Sequence, residues 1–253
     1  MGQIIPHEMT LHRAFVASKW LENAQASCEI ELPDDVVHRL CKVVRVSKNE
    51  LVELFDGQGL CVRGHIVSPK APHFHVESVE KRQHSGSLVI LVQGLVSQKK
   101  LEEIVQHGTE ISADQFLLFS ARNSIAKVTN RSADQVERLN RIAVDAARQC
   151  ERVEVPSVIG PFSFTELISL LKAQDYIVLV GEPREKTRLV DVLLTVPKNR
   201  DIALVIGPEG GLTDDEIKSL SDIGAQCVCY APHVLRTETA GLVGLSIIQS
   251  AIR

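Results

Sequence analysis

Two short stretches near the C-terminus decide the fold: Gly207-Pro208-Glu209-Gly210-Gly211 and Leu235-Arg236-Thr237-Glu238-Thr239-Ala240. Each follows an apolar, strand-like run, 202–206 for the first and 227–230 for the second, and each opens a segment with helical character. Glycines directly after a buried strand let a ligand approach the backbone closely, and the next helix points unpaired N–H groups at the same place. The two turns therefore predict a nucleotide-like cofactor at the C-terminal edge of a sheet.

Strands and helices alternate from residue 88 onward. The predicted strands are the continuous apolar runs 88–92, 115–120, 176–180, 202–206 and 227–230. The predicted helices are 101–107, 132–150, 164–173, 214–223 and 238–252. Apolar strands that do not alternate in polarity are typical of a parallel sheet with helices on both faces, so this part of the chain is predicted to be α/β.

The first part of the chain has a different pattern. Short alternating segments predict strands at 27–32, 51–55, 60–67 and 73–79, and Asp56-Gly57-Gln58-Gly59 predicts a hairpin connection. A single helix is predicted from Asp34 to about Val44, with apolar residues at helical spacing. These features favour a small β-barrel domain at 1–80, a linker at 81–87 and the α/β domain at 88–253.

Composition limits the class of protein. The 253 residues are 44% hydrophobic and 24% charged, which is typical of globular chains. No apolar run approaches the roughly 18 residues of a membrane helix, and the N-terminal sequence lacks the pattern of a signal peptide. The spacing of the six cysteines does not indicate a disulfide framework. A reduced, cytoplasmic protein without a membrane partner is expected. His73 and His75 share a strand face but have no third ligand nearby, so no metal site is expected.

The charge pattern leaves two interpretations open. The net charge of −4 does not indicate nucleic-acid binding. The segment from Arg122 to Arg152, however, contains seven basic residues and only four acidic ones. This local excess is either a stripe that contacts phosphates or a solvated helix face.

The glycine-rich turn excludes two common phosphate sites. It is not a P-loop, because no Lys-Ser or Lys-Thr pair follows, and Pro208 and Glu209 break the dinucleotide fingerprint. Glu209 would also repel a pyrophosphate, so a ligand with a neutral or cationic part and a ribose is favoured. A plain connection between strand and helix is the alternative. Arg236 could stabilise negative charge that develops in a reaction, or simply pair with Glu238.

Taken together, the segments 206–211 and 234–240 resemble the signature of the SPOUT methyltransferases. In particular they are similar to the uridine-N3 methyltransferases of small-subunit ribosomal RNA, the family often called RsmE. Further matching segments are 12–16, 38–45, 53–57 and 141–147. The resemblance implies a mostly parallel α/β sheet with a C-terminal trefoil knot and a PUA-like N-terminal barrel that binds RNA. It also implies S-adenosylmethionine bound in the knot, a homodimer, and ribosomal RNA or the small ribosomal subunit as partner.

The resemblance also assigns residues. The cofactor would be bound by Leu179, Val180, Gly181, Glu182, Ile206, Gly207, Pro208, Glu209, Gly210, Gly211, Ala231, Val234, Leu235, Arg236, Thr237, Thr239 and Ala240. RNA would be contacted by Arg13, Arg45, Arg122 and Arg152, although ordinary surface arginines are the alternative at the first two positions. Uridine N3 must lose its proton, and Arg236 is the cation expected to stabilise the resulting anion.

Two segments depart from the family pattern. The family's Gln-Lys-x-Thr-Glu-Leu-Gly is replaced here by a segment with His107 at the lysine position and Ser112 at the closing glycine. The family's Glu-Gln-x-Gly-Arg is replaced by a segment with Arg148 and Glu151 at the acidic and glycine positions. Three other functions therefore stay open: a SPOUT enzyme with another RNA target, a non-catalytic RNA-binding assembly factor, and a small-molecule or dinucleotide enzyme.

Overall fold

The structure is a computed structural model that describes residues 11–47, 49–68, 71–82, 86–125, 132–197 and 199–252. The chain divides into two compact units, Met1–His84 with Ala147–Val155, and Ser85–Ala146 with Pro156–Arg253. Residues 147–155 thus group with the first unit, although the sequence assigned all of 88–253 to one domain. Of the predicted linker, Lys81 belongs to a strand, and residues 83–85 lie outside the described part of the chain.

The first unit contains a five-stranded sheet. Its elements are β1 (His12–Phe15), β2 (Glu29–Glu31), α1 (Asp34–His38) with a π-helical continuation (Arg39–Val44), β3 (Val52–Phe55), β4 (Leu60–Ser68) and β5 (Ala71–Lys81). The strand order is β1-β3-β4-β5-β2, with β1 parallel to β3 and the other neighbouring pairs antiparallel. The predicted hairpin joins β3 and β4, because Asp56 accepts hydrogen bonds from the backbone N–H groups of Gln58 and Leu60.

Arg13 connects residues 147–155 to the rest of the first unit. Its Nε donates to Glu53 at 2.8 Å, and its other nitrogens donate to the carbonyl oxygens of Ala147, Arg148 and Arg152. The guanidinium also lies 4.5 Å from the ring centroid of Phe55. Ala147 and Arg148 lie in the last turn of a long helix and Arg152 follows its end. Backbone acceptors there have no helical partner, so a buried arginine satisfies them.

The second unit is a parallel α/β sheet, as the sequence predicts. Its strands are β6 (Val89–Gly94), β7 (Gln115–Ser120), β8 (Ser157–Ser163), β9 (Ile177–Gly181), β10 (Ile202–Ile206) and β11 (Gln226–Val228). The helices are α2 (Gln98–Glu110), α3 (Ser132–Gln149, which extends into the first unit), α4 (Phe164–Ala173), α5 (Leu189–Leu193), α6 (Asp214–Asp222) and α7 (Thr237–Ile252). The strand order is β11-β9-β10-β6-β7-β8, and every neighbouring pair is parallel.

Two elements of this unit were not predicted. β8 contains Gly160-Pro161 in its middle, which argues against a strand, but β8 lies at the sheet edge, where proline is tolerated. α5 has only five residues and no side-chain cap, so it lacks a periodic signal.

The strand order places the chain segments that follow β9 and β10 side by side at the carboxyl ends of the parallel strands. β10 lies between β9 and β6, and the three strands run in the same direction, with Val205 opposite both Val180 and Val92. The strand interiors are buried, whereas Gly181 at the end of β9 and Gly207 after β10 are partly exposed. In the described ranges, no helix is long and apolar enough to cross a membrane.

Candidate functional site

A cleft of about 480 Å³ opens at the carboxyl ends of β9 and β10. Three chain segments form its walls: the end of β9, the turn after β10 and the start of α7. A lysine from α2 completes it. The lining residues are Lys100, Gly181, Glu182, Pro183, Ile206, Gly207, Pro208, Glu209, Gly211, Leu212, Val234, Leu235, Arg236, Thr237 and Ala240.

The turn after β10 is held by its backbone. Gly211 has φ of +70°, which side-chain-bearing residues rarely adopt, and a Cβ at Gly210 would lie 2.8 Å from the Cβ of Asn123. The Asn123 amide donates to the carbonyl oxygens of Gly210 at 3.0 Å and Gly211 at 3.3 Å. The helix that follows begins with the predicted capping box between Thr213 and Glu216. The turn is therefore fixed on both sides.

A chain of hydrogen bonds ties the start of α7 to this turn. The Thr237 hydroxyl donates to the Gly207 carbonyl at 2.6 Å and accepts from the Gln93 amide at 2.9 Å. Gln93 is fully buried at the end of β6, and its amide also donates to the Gly94 carbonyl. Gly241 packs against this part of β6, since an added Cβ there would lie 3.3 Å from a Leu91 methyl carbon and 3.4 Å from the Gln93 amide oxygen. Three segments distant in sequence thus share one network.

An ammonium group on the cleft wall lies between two carboxylates. Lys100 Nζ is 3.1 Å from Glu209 Oε1 and 3.2 Å from Glu238 Oε2. The hydrogen bond to Glu209 raises the pKa of Lys100, so it is protonated at neutral pH. Burial opposes ionisation of Glu238, but the hydrogen bond from its own backbone N–H and the Lys100 ammonium outweigh burial and lower the pKa of Glu238. Lys100 and Glu238 therefore carry their charges at neutral pH.

Tyr230 lines a smaller cavity that shares Gly181 and Ala240 with the cleft. Its hydroxyl donates to the Ala240 carbonyl at 3.0 Å, and burial raises the pKa of this phenol, which keeps it neutral. A Cβ at Gly181 would lie 2.7 Å from the Tyr230 oxygen, and one at Gly244 would lie 2.5 Å from a Leu204 methyl carbon. The glycine in β9 and the one in α7 thus allow close packing around Tyr230 and Leu204.

The predicted cofactor residues fall into two groups. Twelve line the cleft: Gly181, Glu182, Ile206, Gly207, Pro208, Glu209, Gly211, Val234, Leu235, Arg236, Thr237 and Ala240. The others do not: Leu179 and Val180 are buried inside β9, Gly210 packs on Asn123, Ala231 lines a smaller neighbouring cavity, and Thr239 is exposed. Arg236, the predicted catalytic cation, is an exposed residue of the cleft wall.

The predicted RNA-contacting arginines differ in exposure. Arg13 is only 7% exposed and uses its guanidinium inside the first unit, so the structure argues against its predicted contact with RNA. Arg45 is exposed with φ of 61°, and Arg122 is exposed with its guanidinium 3.3 Å from Asp215. The Arg152 carbonyl accepts from Arg13.

Three residues of the site were missed from the sequence. Lys100 lies in an ordinary charged helix start, and Asn123 in a polar loop, so neither carries a local signal. Gln93 had one, since it is a polar residue that ends an otherwise apolar strand. No group of His, Cys, Asp or Glu side chains able to hold a metal occurs among the described residues.

Comparison with known proteins gives the family. The family model that describes the RNA methyltransferase domain matches residues 83–249 of this chain. The ribosomal RNA small subunit methyltransferase E of Bacillus subtilis (strain 168) is 31% identical over 220 residues, which cover 84% of this chain and 86% of that protein. This chain belongs to the methyltransferase E family. The matched range covers the whole cleft, so the lining residues are part of the family's RNA methyltransferase domain.

Solved structures share the fold of this methyltransferase E family member. A protein from Legionella pneumophila, solved with bound S-adenosylmethionine, has a TM-score of 0.83 and 24% identity, and covers 96% of this chain and 98% of its own. The methyltransferase E of Neisseria gonorrhoeae, also bound to S-adenosylmethionine, has a TM-score of 0.82 and 23% identity, and covers 95% of this chain and 97% of its own. The α/β architecture is therefore shared along nearly the full chain.

Proposed function

We propose that this protein is an S-adenosylmethionine-dependent methyltransferase that methylates N3 of a uridine in small-subunit ribosomal RNA. The observation that carries the proposal is the cleft, where a bare backbone turn and two carboxylates meet beside an arginine within the family's RNA methyltransferase domain. A dinucleotide enzyme is disfavoured, because Glu209 and Glu238 would repel a pyrophosphate.

The cleft fits S-adenosylmethionine on three counts. Its volume of about 480 Å³ lies within the usual range for small-molecule sites. The backbone around Gly207 offers N–H and C=O groups without side chains, which suits an adenosine. The carboxylates of Glu182 and Glu209, which line the cleft, suit a cationic ligand. The cofactor, when bound, supplies a methyl group on a positively charged sulfur.

The residues of this protein hold the cofactor and stabilise the charge that develops on the substrate. The turn at Gly207–Gly211 and the segment Val234–Ala240 bind the cofactor between them, and the Gln93–Thr237–Gly207 bonds keep these walls in register. Arg236 stabilises the anion that forms when uridine N3 loses its proton, because a positioned cation lowers the free energy of developing negative charge. The target uridine must leave any stacked structure to enter the cleft.

The proposal includes a C-terminal trefoil knot, a PUA-like barrel and a homodimer. Support for the knot is the hydrogen bonding of the α7 start to the end of β6 and to the turn after β10. Support for the barrel is the five-stranded, largely antiparallel sheet of the first unit. Support for the dimer is the exposed apolar surface near α5, where Val190 is 46% and Leu194 is 86% exposed. Arg45, Arg122 and Arg152 remain the proposed RNA contacts.

The test is mass mapping of modified nucleotides. Purified protein, S-adenosylmethionine and small ribosomal subunits from cells lacking the protein are incubated, and the RNA is digested and mapped. We expect one new 3-methyluridine, and none with S-adenosylhomocysteine in place of the donor. Methylation at another nucleotide or on another RNA would indicate a different target. Binding of the cofactor without any methyl transfer would indicate the non-catalytic assembly factor.

A further inference from the structure

The cleft wall contains a second cation, Lys100, which has no role in the function proposed above. Lys100 lies near the start of α2, and its side chain reaches the cleft between Glu209 and Glu238. Its side chain is 29% exposed, so the ammonium is accessible from the cleft. Arg236 lines the same cleft and also acts electrostatically on Glu238. Both cations therefore act on Glu238, and Lys100 also pairs with Glu209.

The ammonium of Lys100 has donor capacity to spare. A lysine carries three N–H donors and no acceptor. Two carboxylate oxygens lie within 3.2 Å, and within the part of the chain that the structure describes the third donor has no protein partner. The two carboxylates fix the position of the ammonium, because the Glu209 turn and α7 are themselves tied together through Thr237. A ligand in the cleft thus meets a fixed, charged donor.

From this geometry we infer that Lys100 is a second catalytic cation, which donates a hydrogen bond to a pyrimidine carbonyl oxygen next to N3 of the target uridine. The inference rests on the proposed function. When the N3–H bond breaks, the proton passes to solvent water and the electron pair stays on N3, delocalised over O2 and O4. The Lys100 N–H stabilises this anion at one oxygen, and Arg236 stabilises it from the other wall.

The charges around Lys100 decide its role. The groups that face it are Glu209 on the turn after β10 and Glu238 and Arg236 at the start of α7. The two carboxylates keep the ammonium protonated, so Lys100 cannot accept the N3 proton. It acts as a donor throughout. A bound uridine beside this ammonium ionises at lower pH than a free one, since a nearby positive charge favours the anionic form.

The simpler alternative is that Lys100 only joins α2 to the cleft walls. A partly exposed ion pair of this kind contributes about 0–1 kcal/mol. Such a role would affect stability or cofactor affinity, but not the pH at which the bound base ionises. The pH dependence of the reaction therefore separates the two roles.

The experiment compares Lys100→Met, Lys100→Arg and the matched control Lys99→Met with the unmodified protein. Lys99 precedes Lys100 on the same helix and is exposed. Methyl transfer to small ribosomal subunits is measured from neutral to alkaline pH. Calorimetry gives the affinity for S-adenosylhomocysteine, and thermal melting checks folding. Sedimentation with the subunits measures binding separately from turnover.

We expect Lys100→Met to slow transfer about a hundredfold at neutral pH, the usual effect of removing one charge-stabilising donor. Its rate should rise at higher pH than that of the unmodified protein, with cofactor affinity and subunit binding unchanged. Lys100→Arg should keep the original pH profile, and Lys99→Met should match the unmodified protein throughout.

The inference is overturned if Lys100→Met transfers at the original rate. It is also overturned if the rate and the cofactor affinity fall by the same factor while the pH profile is unchanged. That result would show that Lys100 has only a structural role. Failure of the proposed function would show differently, because the unmodified protein itself would then produce no 3-methyluridine.

Discussion

The hydroxyl of Thr237 donates a hydrogen bond of 2.6 Å to the carbonyl oxygen of Gly207. The two residues are 30 positions apart, and each belongs to a different wall of the cleft. Because Thr237 also accepts from the buried Gln93, one hydroxyl connects β6, the turn after β10 and the start of α7. The shape of the cleft therefore depends on this single side chain.

Thr237→Val should weaken both folding and cofactor binding. Valine has the same shape but leaves the Gln93 amide without one of its acceptors and the Gly207 carbonyl without its donor. Loss of a buried partner costs about 1–3 kcal/mol. Urea unfolding and calorimetry with S-adenosylhomocysteine measure the two effects. The control is Thr165→Val, at an exposed position of α4, which should change neither. Equal behaviour of the two variants would contradict the role of the Thr237 bonds.

Arg13→Met should destabilise the first unit strongly. The variant leaves Glu53, which is 3% exposed, as a buried charge with one partner fewer, and it removes the donors to three carbonyl groups. Breaking such a buried pair costs about 3–5 kcal/mol. Arg63 pairs with the same Glu53 at 2.9 Å but is 41% exposed, so Arg63→Met should cost less than about 1 kcal/mol. Urea denaturation of both variants gives the comparison, and similar losses would refute it.

The two departures from the family pattern share a backbone property. Ser112 has φ of 71° and Glu151 has φ of 62°, and the family pattern has glycine at both positions. A left-handed conformation costs a side-chain-bearing residue roughly 1–2 kcal/mol, whereas glycine adopts it freely. The departures at these two positions therefore introduce backbone strain, which the sequence alone does not show.

Ser112→Gly and Glu151→Gly should accordingly stabilise the protein. The relief of strain exceeds the extra backbone entropy of glycine, which leaves a gain of about 0.5–1 kcal/mol for each change. Ser97→Gly is the matched control, because Ser97 has φ of −58° and its side chain makes no capping hydrogen bond. This control should give no gain. Urea midpoints measure all three, and a loss of stability in the first two would show that their side chains matter more than φ.

Sequence patterns located the elements better than the site. β7, β10 and α4 have the predicted bounds, because their apolar runs and the Ser163 cap are local signals. The turn at the cleft was also predicted, because its glycines are a local signal. Lys100 could not be placed, since it reaches the cleft only through the strand order of the sheet. The burial of Arg13 depends on carbonyl groups more than 130 residues away, which no local pattern shows.

Arg236→Ala should lower the rate of methyl transfer about a hundredfold to a thousandfold, as expected for loss of one group that stabilises developing charge. Arg236 is exposed at the cleft wall, so the change should leave folding intact. The affinity for S-adenosylhomocysteine should stay close to that of the unmodified protein, and kcat should fall more than KM changes. Lys218→Ala, at an exposed position of α6, is the control and should transfer normally. If Arg236→Ala transfers at the original rate while the cofactor still binds, Arg236 is not the cation that stabilises the uridine anion, and Lys100 would be left as the cation of this cleft that can do so.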